Sequence, residues 1–499
     1  DFARIAKAPA VNRRTAMVAG GAIALLGTGF AAWQTGLLGG NGGMANRIAV
    51  LPFANLGGDA SQAYLSDGLC AEIRSMLAQN GALQVVGQAS SEAFSDSKLD
   101  SIAIAKKLKA DFLVDGAVQV AGGVIRITSE LIEGKSGINR LPQSFEKPME
   151  DILTVQREIA GAISAKLTSK IAASDSSKVA LGGTANVTAF DHYLRGKDLY
   201  AHAKNEAEER EAITYFEAAI AADPKFASAH TGRAKSLAAV AGQYGSAAEI
   251  KQYHDAAMVS ARRAIELAPK LADAHSTLAL MLFQGNLDAK SARAPFEFSR
   301  KLGEGDAPVM ARFAVYSAAT GRDDDALSAI QRAVLLDPLN ALIHRILGTV
   351  HFASKRYPEA IAAIRETIKL SPGLNDTYCR IGMVLLAQGK NREALTEFEA
   401  DTNEPSKLAG IAIAENHLGN SKRAKDAMSA LIDIRETVAL YQQGQVLAQW
   451  GDIDAALAVL DDARKQRDAG LNAARYDPML DPLRKLPRFI RLLKSLGFD

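Results

Sequence analysis

The chain has 499 residues, too many for one hydrophobic core, so two or more folded units are expected. Its 58 Lys and Arg nearly balance 56 Asp and Glu, and the net charge of +2 is spread along the chain. With this balance of charges, we expect no basic surface patch of the kind that direct nucleic-acid binding requires. Cys70 and Cys379 lie in different predicted units, so we predict no disulfide framework and expect two buried thiols.

The N-terminal region has the pattern of a membrane span. Four basic residues lie within residues 1–14, and no charged residue occurs between 15 and 46. Residues 16–33 are apolar or small throughout, which is long enough to cross a bilayer. We predict a cytoplasmic flank at 1–14, a transmembrane helix at 15–38 and a Gly-rich spacer at 39–45. The positive-inside rule then predicts a single-pass inner-membrane protein with a periplasmic body.

Two features of this region leave alternatives open. Arg13 and Arg14 before an apolar stretch also fit an export signal that a peptidase removes. Small residues recur at every fourth position from Ala16, a stripe that either pairs two helices in a homodimer or reflects the Ala and Gly content. Because the chain begins at Asp1 without an initiator Met, we expect further residues upstream.

Residues 46–172 predict a small α/β domain, because strand and helix patterns alternate. Ile125, Ile127 and Leu131 alternate with polar residues, which predicts a sheet with one face in water. The predicted elements are strands at 47–53, 83–87, 112–120 and 124–133, with helices at 61–79, 101–108 and 149–170.

Three stretches of this domain carry a family resemblance: RIAVLPFANLGGDASQAYLSDGL at 47–69, LQVVG at 83–87, and IAKKLKADFLVDGAVQVAGGVIRITSELIEGKSG at 104–137. Together they resemble the TolB amino-terminal-domain-like module of bacterial envelope and signalling proteins. The resemblance implies a non-catalytic role in partner binding or sensing.

Two glycine-containing loops invite a comparison with phosphate-binding loops. The loop at Gly57 and Gly58 lacks the Lys and Ser or Thr that contact phosphate and magnesium, so its glycines are predicted to serve the backbone turn. Gly134-Lys135-Ser136 leaves a strand without entering a clear helix. An enzyme acting at Gly57 and Gly58 remains the catalytic hypothesis, and it predicts nucleotide binding by residues 46–172.

A linker at 173–188 leads to a repeat region at 189–470. Gly348 and Gly382 are 34 residues apart, and the same offset of 34 relates Ala360 to Ala394. This is the tetratricopeptide (TPR) period, and the segment resembles that family, with about eight helical hairpins stacked as an all-α solenoid. The repeat positions that we expect to be structural are Gly348, Ala360, Pro372, Gly382 and Ala394.

The repeat alignment also predicts the roles of three histidines and the position of a binding surface. His230, His275 and His344 occupy a position where the family has large aromatic residues, so we expect packing roles. The first helix of each hairpin should line a concave groove that binds a protein or peptide. Its candidate residues are Arg312, Arg345, Thr349, Phe352, Arg380 and Met383. The three arginines either receive an acidic segment or only maintain solubility.

Residues 471–499 are predicted to cap the last repeat, with membrane-surface binding by their basic amphipathic helix as the alternative. No catalytic residue, cofactor or metal ligand set is predicted, because no such motif occurs. The order of the units resembles bacterial signalling proteins with an upstream winged-helix or nucleotide cyclase domain. We therefore predict a non-enzymatic, membrane-anchored scaffold or sensor. An exported periplasmic adaptor and the regulatory part of a cyclase are the alternatives.

Overall fold

The computed structural model describes residues 47–57, 62–78, 83–95, 97–167, 181–244, 247–434 and 439–498. The flank at 1–14, the predicted transmembrane helix at 15–38 and the spacer at 39–45 lie outside the described residues. Within the described ranges, no helix combines the length and the apolar character that crossing a membrane requires.

A six-stranded mixed sheet forms the centre of the α/β region, with the order β3-β1-β4-β5-β6 and β2 beside β4. Its strands are β1 (Arg47–Val50), β2 (Ala54–Asn55), β3 (Gln84–Val85), β4 (Phe112–Ala121), β5 (Val124–Glu133) and β6 (Gln143–Pro148). Strand β1 is parallel to β3 and β4, whereas β4, β5 and β6 are antiparallel. Gly122 and Gly123 join β4 to β5 with φ angles of 59° and 78°, which a two-residue hairpin turn requires.

Helices cover both faces of the sheet. They are α1 (Ala63–Ala78), α2 (Gln88–Glu92), α3 (Ser101–Leu108) and α4 (Ile152–Leu167). Helices α1 and α4 pack on the face that contains Ile48 and Val50, and α3 packs on the opposite face, which contains Ala49. In β5, Ile125, Ile127 and Leu131 are buried and the intervening Arg126, Thr128 and Glu130 are exposed, so the predicted alternation is confirmed.

Some predicted boundaries in this region were wrong. The first strand ends at Val50 rather than at residue 53, because the chain leaves the ladder before Pro52. Strand β6 was not predicted, since its residues Gln143–Pro148 carry charges and a proline. Such a composition suits an edge strand, whose outer hydrogen-bonding groups face away from the sheet.

Eight helical hairpins lie between residues 187 and 465 of the described chain. In chain order their helices are α5 (Val187–His202) and α6 (Glu206–Ala222), α7 (Ala227–Gln243) and α8 (Ala247–Leu267), α9 (Ala272–Leu280) and α10 (Ala289–Leu302), α11 (Ala307–Ala319) and α12 (Asp323–Leu336), α13 (Ala341–Ala353) and α14 (Tyr357–Leu370), α15 (Thr377–Ala387) and α16 (Asn391–Ala400), α17 (Glu404–His417) and α18 (Ser421–Ile432), and α19 (Leu440–Trp450) and α20 (Ile453–Lys465). The predicted fold class, an α/β region followed by an all-α repeat array, is confirmed.

Small residues stand at the contacts between paired helices. A Cβ atom on Gly348 would lie 2.5 Å from Cγ1 of Ile364, and one on Gly382 would lie 2.6 Å from Cε1 of Phe398. Ala360 and Ala394 are fully buried. Pro372 follows the end of α14, in the turn that leads to the next hairpin. The side chains at these crossings are therefore small because the neighbouring helix occupies the space.

The α/β region and the first hairpin share one hydrophobic core. Phe190, Tyr193 and Leu194 of α5 join the same buried cluster as Leu69 and Ile73 of α1. The segment between the two regions therefore does not separate independent cores.

A second attachment joins the α/β region to the turn after α12. The Asp337 carboxylate accepts hydrogen bonds from the backbone N–H of Ser90 (2.8 Å) and from its hydroxyl (2.5 Å). The backbone N–H of Gly87 donates to the carbonyl of Leu336 at 2.8 Å. The Arg47 guanidinium donates to the carbonyl of Leu335 at 2.5 Å. The sheet region is thus held at two points of the repeat array.

The C-terminal segment, residues 468–498, crosses the repeat array instead of covering only its last hairpin. It contains the helix α21 (Pro487–Ser495) and two 3-10 turns, Ala469–Ala473 and Pro478–Leu483. Arg488 pairs with Asp461 of α20 at 2.7 Å, as an end cap would. However, the Leu496 carbonyl accepts a hydrogen bond of 2.9 Å from the backbone N–H of Ala289, at the start of α10. Phe489 and Leu492 are buried within the chain, so this apolar face is not free to bind a membrane.

Replacing Gly348 with Leu should destabilise the array, because the new side chain would occupy the space of Ile364. We expect the free energy of unfolding to fall by about 1 to 3 kcal/mol, measured by urea denaturation. The control is Gly242→Ala in α7, where a Cβ meets no described atom within 4 Å. The added methyl should leave stability unchanged or slightly higher. An equal decrease in the free energy of unfolding in the two variants would contradict close packing at Gly348.

Candidate functional site

A pocket of about 190 Å³ lies between the inner helices of the later hairpins and the C-terminal segment. The first helix of each hairpin is its inner helix, and α13, α15, α17 and α19 all contribute. The residues that define this inner pocket are Gly348, Thr349, Phe352, Ile364, Asp376, Cys379, Arg380, Met383, Val384, Ser406, Tyr441, Gln442, Gln445, Gly470, Ala473, Tyr476 and Asp477.

The structure brings four of the six predicted groove residues into this pocket. Thr349 and Phe352 come from α13, and Arg380 and Met383 come from α15. They converge because inner helices of successive hairpins lie side by side. Arg345 and Arg312 lie on inner helices as well, but neither lines the pocket.

Arg380 is fixed at the polar side of the inner pocket. Its guanidinium forms an ion pair with Asp376 at 2.8 Å and donates to the hydroxyl of Thr349 at 3.1 Å. Within the described residues, the buried Nε of Arg380 has no hydrogen-bond partner. Arg345 donates to the carbonyl of Asn375 at 3.2 Å. Burial and the nearby positive charge of Arg380 lower the pKa of Arg345 to about 10.

Arg312 lies on α11, three hairpins before the hairpin that begins with α17. It belongs to a separate ion-pair cluster. Asp273 accepts from Arg312 at 2.9 Å and from Lys235 at 2.7 Å. Burial by itself would raise the pKa of Asp273, but Lys235 and Arg312 hold it well below its ordinary value. Two of the three predicted arginines, Arg312 and Arg380, therefore already hold a carboxylate of this chain. This reduces the charge that they offer to an acidic partner.

The C-terminal segment supplies the wall opposite Arg380. The buried Asp477 carboxylate accepts from the Tyr441 hydroxyl at 2.6 Å and from the Gln445 amide at 2.5 Å. Burial raises the pKa of Asp477 above its ordinary value, although these hydrogen bonds oppose the shift. The Tyr476 ring meets Phe352 edge-on, with the ring centroids 6.4 Å apart.

Sequence reasoning missed Tyr441, Gln445, Tyr476 and Asp477 as pocket residues. Tyr441 and Gln445 are four residues apart, so they share a helix face, and this spacing on an inner helix was the available signal. Their common partner lies more than 30 residues further on, which no local pattern reveals.

The lining of the inner pocket combines one buried thiol with apolar and polar side chains. Burial, followed by the nearby Asp401 carboxylate, raises the pKa of the Cys379 thiol well above its ordinary value, so the reactive thiolate is suppressed. Among the described residues, no group of His, Cys, Asp or Glu is arranged to hold a metal ion. The remaining lining combines aromatic and aliphatic surface with hydroxyl and amide groups, which suits the insertion of a side chain from another molecule.

Three histidines share a role that was only partly predicted. Nε2 of His230, His275 and His344 lies 3.1, 2.8 and 2.8 Å from the carbonyl of the proline six residues earlier. Because a carbonyl oxygen only accepts, Nε2 is the donor in each case. The histidines thus secure the turns before α7, α9 and α13. The repeated Pro-to-His spacing was visible in the sequence.

The two glycine-containing loops have structural partners. Gly57 donates its N–H to the Asn55 side chain at 3.1 Å. The Gly134 loop joins β5 to the segment before β6, so no helix follows it. Its Ser136 hydroxyl donates to the Glu133 carboxylate at 2.5 Å. A phosphate-binding loop needs a helix N-terminus at this point, so Gly134 does not begin one.

The fold is an array of helical hairpins preceded by an α/β region, and both parts match known family models. Residues 314–375 match the family model described as tetratricopeptide repeat, which confirms the predicted repeats. Residues 44–160 match the second domain of HilA/YgeH-like transcriptional regulators. The chain therefore combines a TPR array with a HilA/YgeH-like regulator domain, whereas the resemblance to the TolB module stays a prediction.

Curated relatives match parts of the chain. A Rhizobium meliloti (strain 1021) protein named "Putative adenylate cyclase 3" is 29% identical over 183 residues, covering 37% of this chain and 31% of the relative. Anaphase-promoting complex subunit 3 of Schizosaccharomyces pombe is 26% identical over 142 residues, covering 27% of this chain and 21% of the relative. The chain thus spans less than a third of the length of either relative.

Solved structures match this chain only at low sequence identity and low TM-score. The human IFIT1 dimer with PPP-AAAA is 14% identical, with 85% of this chain and 94% of that chain covered and a TM-score of 0.46. A thermophilic TPR protein of Thermus thermophilus is 18% identical, with 40% of this chain and 99% of that chain covered and a TM-score of 0.33. Neither likeness bears on ligands.

The Asp273 cluster predicts a pH-dependent stability. The folded chain keeps the Asp273 carboxyl ionised even at pH values below its ordinary pKa of 3.8. The ion pairs of Asp273 therefore stabilise the fold fully above that pH. It is lost as the pH falls toward the lowered pKa. We expect Asp273→Asn to reduce the free energy of unfolding by roughly 2 kcal/mol at neutral pH, since Lys235 and Arg312 lose their partner.

Urea denaturation at several pH values measures this effect. The difference between Asp273→Asn and the natural chain should shrink below about pH 4. The control is Asp324→Asn, at an exposed position on α12, which should change stability by less than about 0.5 kcal/mol. A difference for Asp273→Asn that stays constant down to about pH 2.5 would contradict the ion-pair assignment.

Proposed function

We propose that the chain is the non-enzymatic, partner-binding part of a bacterial membrane protein that regulates signalling or transcription. In this proposal, residues 15–38 anchor it in the inner membrane, the N-terminus is cytoplasmic and the remaining chain is periplasmic. The inner pocket receives a side chain of a protein partner. The α/β region, with its TolB-like sequence features, serves as a second partner-binding or sensing surface.

The observation that carries the proposal is the convergence of side chains in the inner pocket. Phe352, Met383 and Tyr476 offer apolar and aromatic surface, and Arg380 keeps a buried N–H without a partner among the described residues. An anchor side chain with a hydrogen-bond acceptor at its tip would satisfy that donor. Such buried, well-packed anchor sites carry most of the binding energy in protein interfaces.

The comparisons support a regulatory setting. The α/β region is of the HilA/YgeH-like regulator type, and one relative carries a cyclase name. That relative favours a second candidate, in which the chain is the regulatory part of a nucleotide cyclase with an upstream catalytic domain. An exported periplasmic adaptor is the third candidate. The residues encoded before Asp1 distinguish them: a DNA-binding domain favours the first candidate, a cyclase domain the second, and a start codon just ahead of Asp1 the third.

Filling the inner pocket should weaken partner binding. In Met383→Trp, a larger side chain occupies the space that the anchor needs, and we expect affinity to fall by about 30-fold, the loss of one binding hot spot. A photoreactive amino acid at Gln442, which lines the pocket, first identifies the partner in intact cells. Calorimetry with the purified full chain then measures the affinity.

Two controls separate pocket binding from general effects. Ala400→Trp adds the same ring at an exposed position on α16 and should leave affinity unchanged. A photoreactive residue at Lys422, whose side chain is 90% exposed on α18, should not capture the same partner. If Gln442 crosslinks only to residues 468–498 of the same chain, no partner enters the pocket and the proposal fails.

A further inference from the structure

An exposed apolar patch with a lysine rim lies on the α/β region, away from the inner pocket. Leu99, Ile102 and Ile138 are 41%, 44% and 51% exposed. Ile102 packs against the turn that carries Ile138, since a Cβ atom on Gly137 would be 3.3 Å from Cγ1 of Ile102. Leu99 lies three residues before Ile102, across the N-cap of α3. We name these three side chains the lysine-rimmed patch.

Four lysines lie close in sequence to the patch residues. Lys106 follows Ile102 by four residues and so shares its face of α3. Lys98 adjoins Leu99, Lys109 ends α3, and Lys135 lies in the turn before Gly137. All four are exposed.

The nearby carboxylates are already engaged. Asp100 caps α3 by accepting from the Ala103 N–H at 2.8 Å. Glu133 accepts from Arg140 at 2.8 Å and from the Ser136 hydroxyl. Asp111 accepts from the N–H of Arg47 at 3.0 Å. The four lysines and Arg140 outnumber these three carboxylates, so the rim carries net positive charge around the apolar side chains.

The patch lies close to the point where the predicted anchor joins the folded region. The Arg47 carbonyl accepts from the Asp111 N–H at 2.7 Å, and the Asp111 carbonyl accepts from the Gly134 N–H at 2.7 Å. Gly134 begins the turn that contains Gly137 and leads to Ile138. Two hydrogen bonds thus connect the start of β1 to the turn beneath the patch. The uncharged run of residues 15–46 ends directly before Arg47.

We propose that the lysine-rimmed patch is a lipid-contacting surface, on which the α/β region rests against an anionic phospholipid bilayer. Leu99, Ile102 and Ile138 enter the headgroup boundary, and the lysines pair with lipid phosphates. The choice of a bilayer rests on the proposed membrane anchor, which ends at residue 38, nine residues before Arg47 in the chain. The charge pattern also favours lipid, because a partner copy would bring the same lysines into repulsion.

Fluorescence on the full chain in vesicles tests this contact. Both native cysteines, Cys70 and Cys379, are buried, so a cysteine introduced at Ile138 accepts an environment-sensitive NBD label selectively. In phosphatidylglycerol-containing vesicles with nitroxide-labelled lipid, we expect the label to shift to shorter wavelength and to be quenched. The same label in Lys422→Cys, at a position with a 90% exposed side chain, should show neither change.

Charge variants test the lysine rim. Lys106→Gln and Lys135→Gln should each weaken the patch contact about fivefold, read as the fraction of Ile138→Cys label that is quenched. Vesicles of phosphatidylcholine alone should give little quenching. Circular dichroism checks that the variants remain folded.

Three results would overturn the proposal. One is a label at position 138 that stays as exposed to water as the label at 422 in anionic vesicles. Another is quenching that is equal with and without phosphatidylglycerol. The third is a wavelength shift without lipid that grows with protein concentration, which would assign the patch to a second copy.

Resistance of the chain to alkaline carbonate extraction separately tests the transmembrane helix. Quenching at position 138 in a chain that carbonate removes would refute the anchor and leave the lipid-contacting patch standing. A carbonate-resistant chain without quenching would support the anchor and refute the lipid-contacting patch.

Discussion

The architecture depends on helix crossings at which there is no room for a side chain. Phe398 lies against both Gly382 and Gly410, where added Cβ atoms would stand 2.6 and 2.3 Å from its Cε1. Phe216 makes the same kind of contact with Gly232, at 2.3 Å. One ring thus joins its own hairpin to the next and fixes the distance and angle between them. The inner helices are aligned by these contacts, and the residues of the inner pocket converge as a result.

Closure of the array by its own C-terminal segment determines what the groove can bind. Asp477 joins Tyr441 and Gln445 through hydrogen bonds, and Leu496 joins the start of α10 through the backbone. Each of these contacts removes groove surface that an open solenoid would offer to a long peptide. What remains is a pocket of about 190 Å³, suited to an anchor side chain rather than to an extended helix.

Local and periodic features were predictable, and long-range closure was not. The 34-residue offset between Gly348 and Gly382 identified the repeats, and the alternation around Ile127 identified β5, because both patterns arise from contacts between near neighbours in sequence. The inner-helix positions of Thr349 and Arg380 followed from the same periodicity. By contrast, the Ser90 to Asp337 bond and the Phe352 to Tyr476 contact join distant segments. Helix and strand patterns carry no information about such partners.

One of the two attachments of the α/β region, the one at Asp337, connects it physically to the inner pocket. Asp337 holds Ser90 and also accepts from the side chain of Asn340 at 2.8 Å. Asn340 caps α13 by accepting from the N–H groups of its first turn, and α13 carries Thr349 and Phe352 into the pocket. A displacement of α13 by a bound side chain would therefore change the geometry of its cap and of the Asp337 to Ser90 contact. Hydrogen bonds through Asp337 and Asn340, followed by helix α13, thus connect the α/β region to the inner pocket.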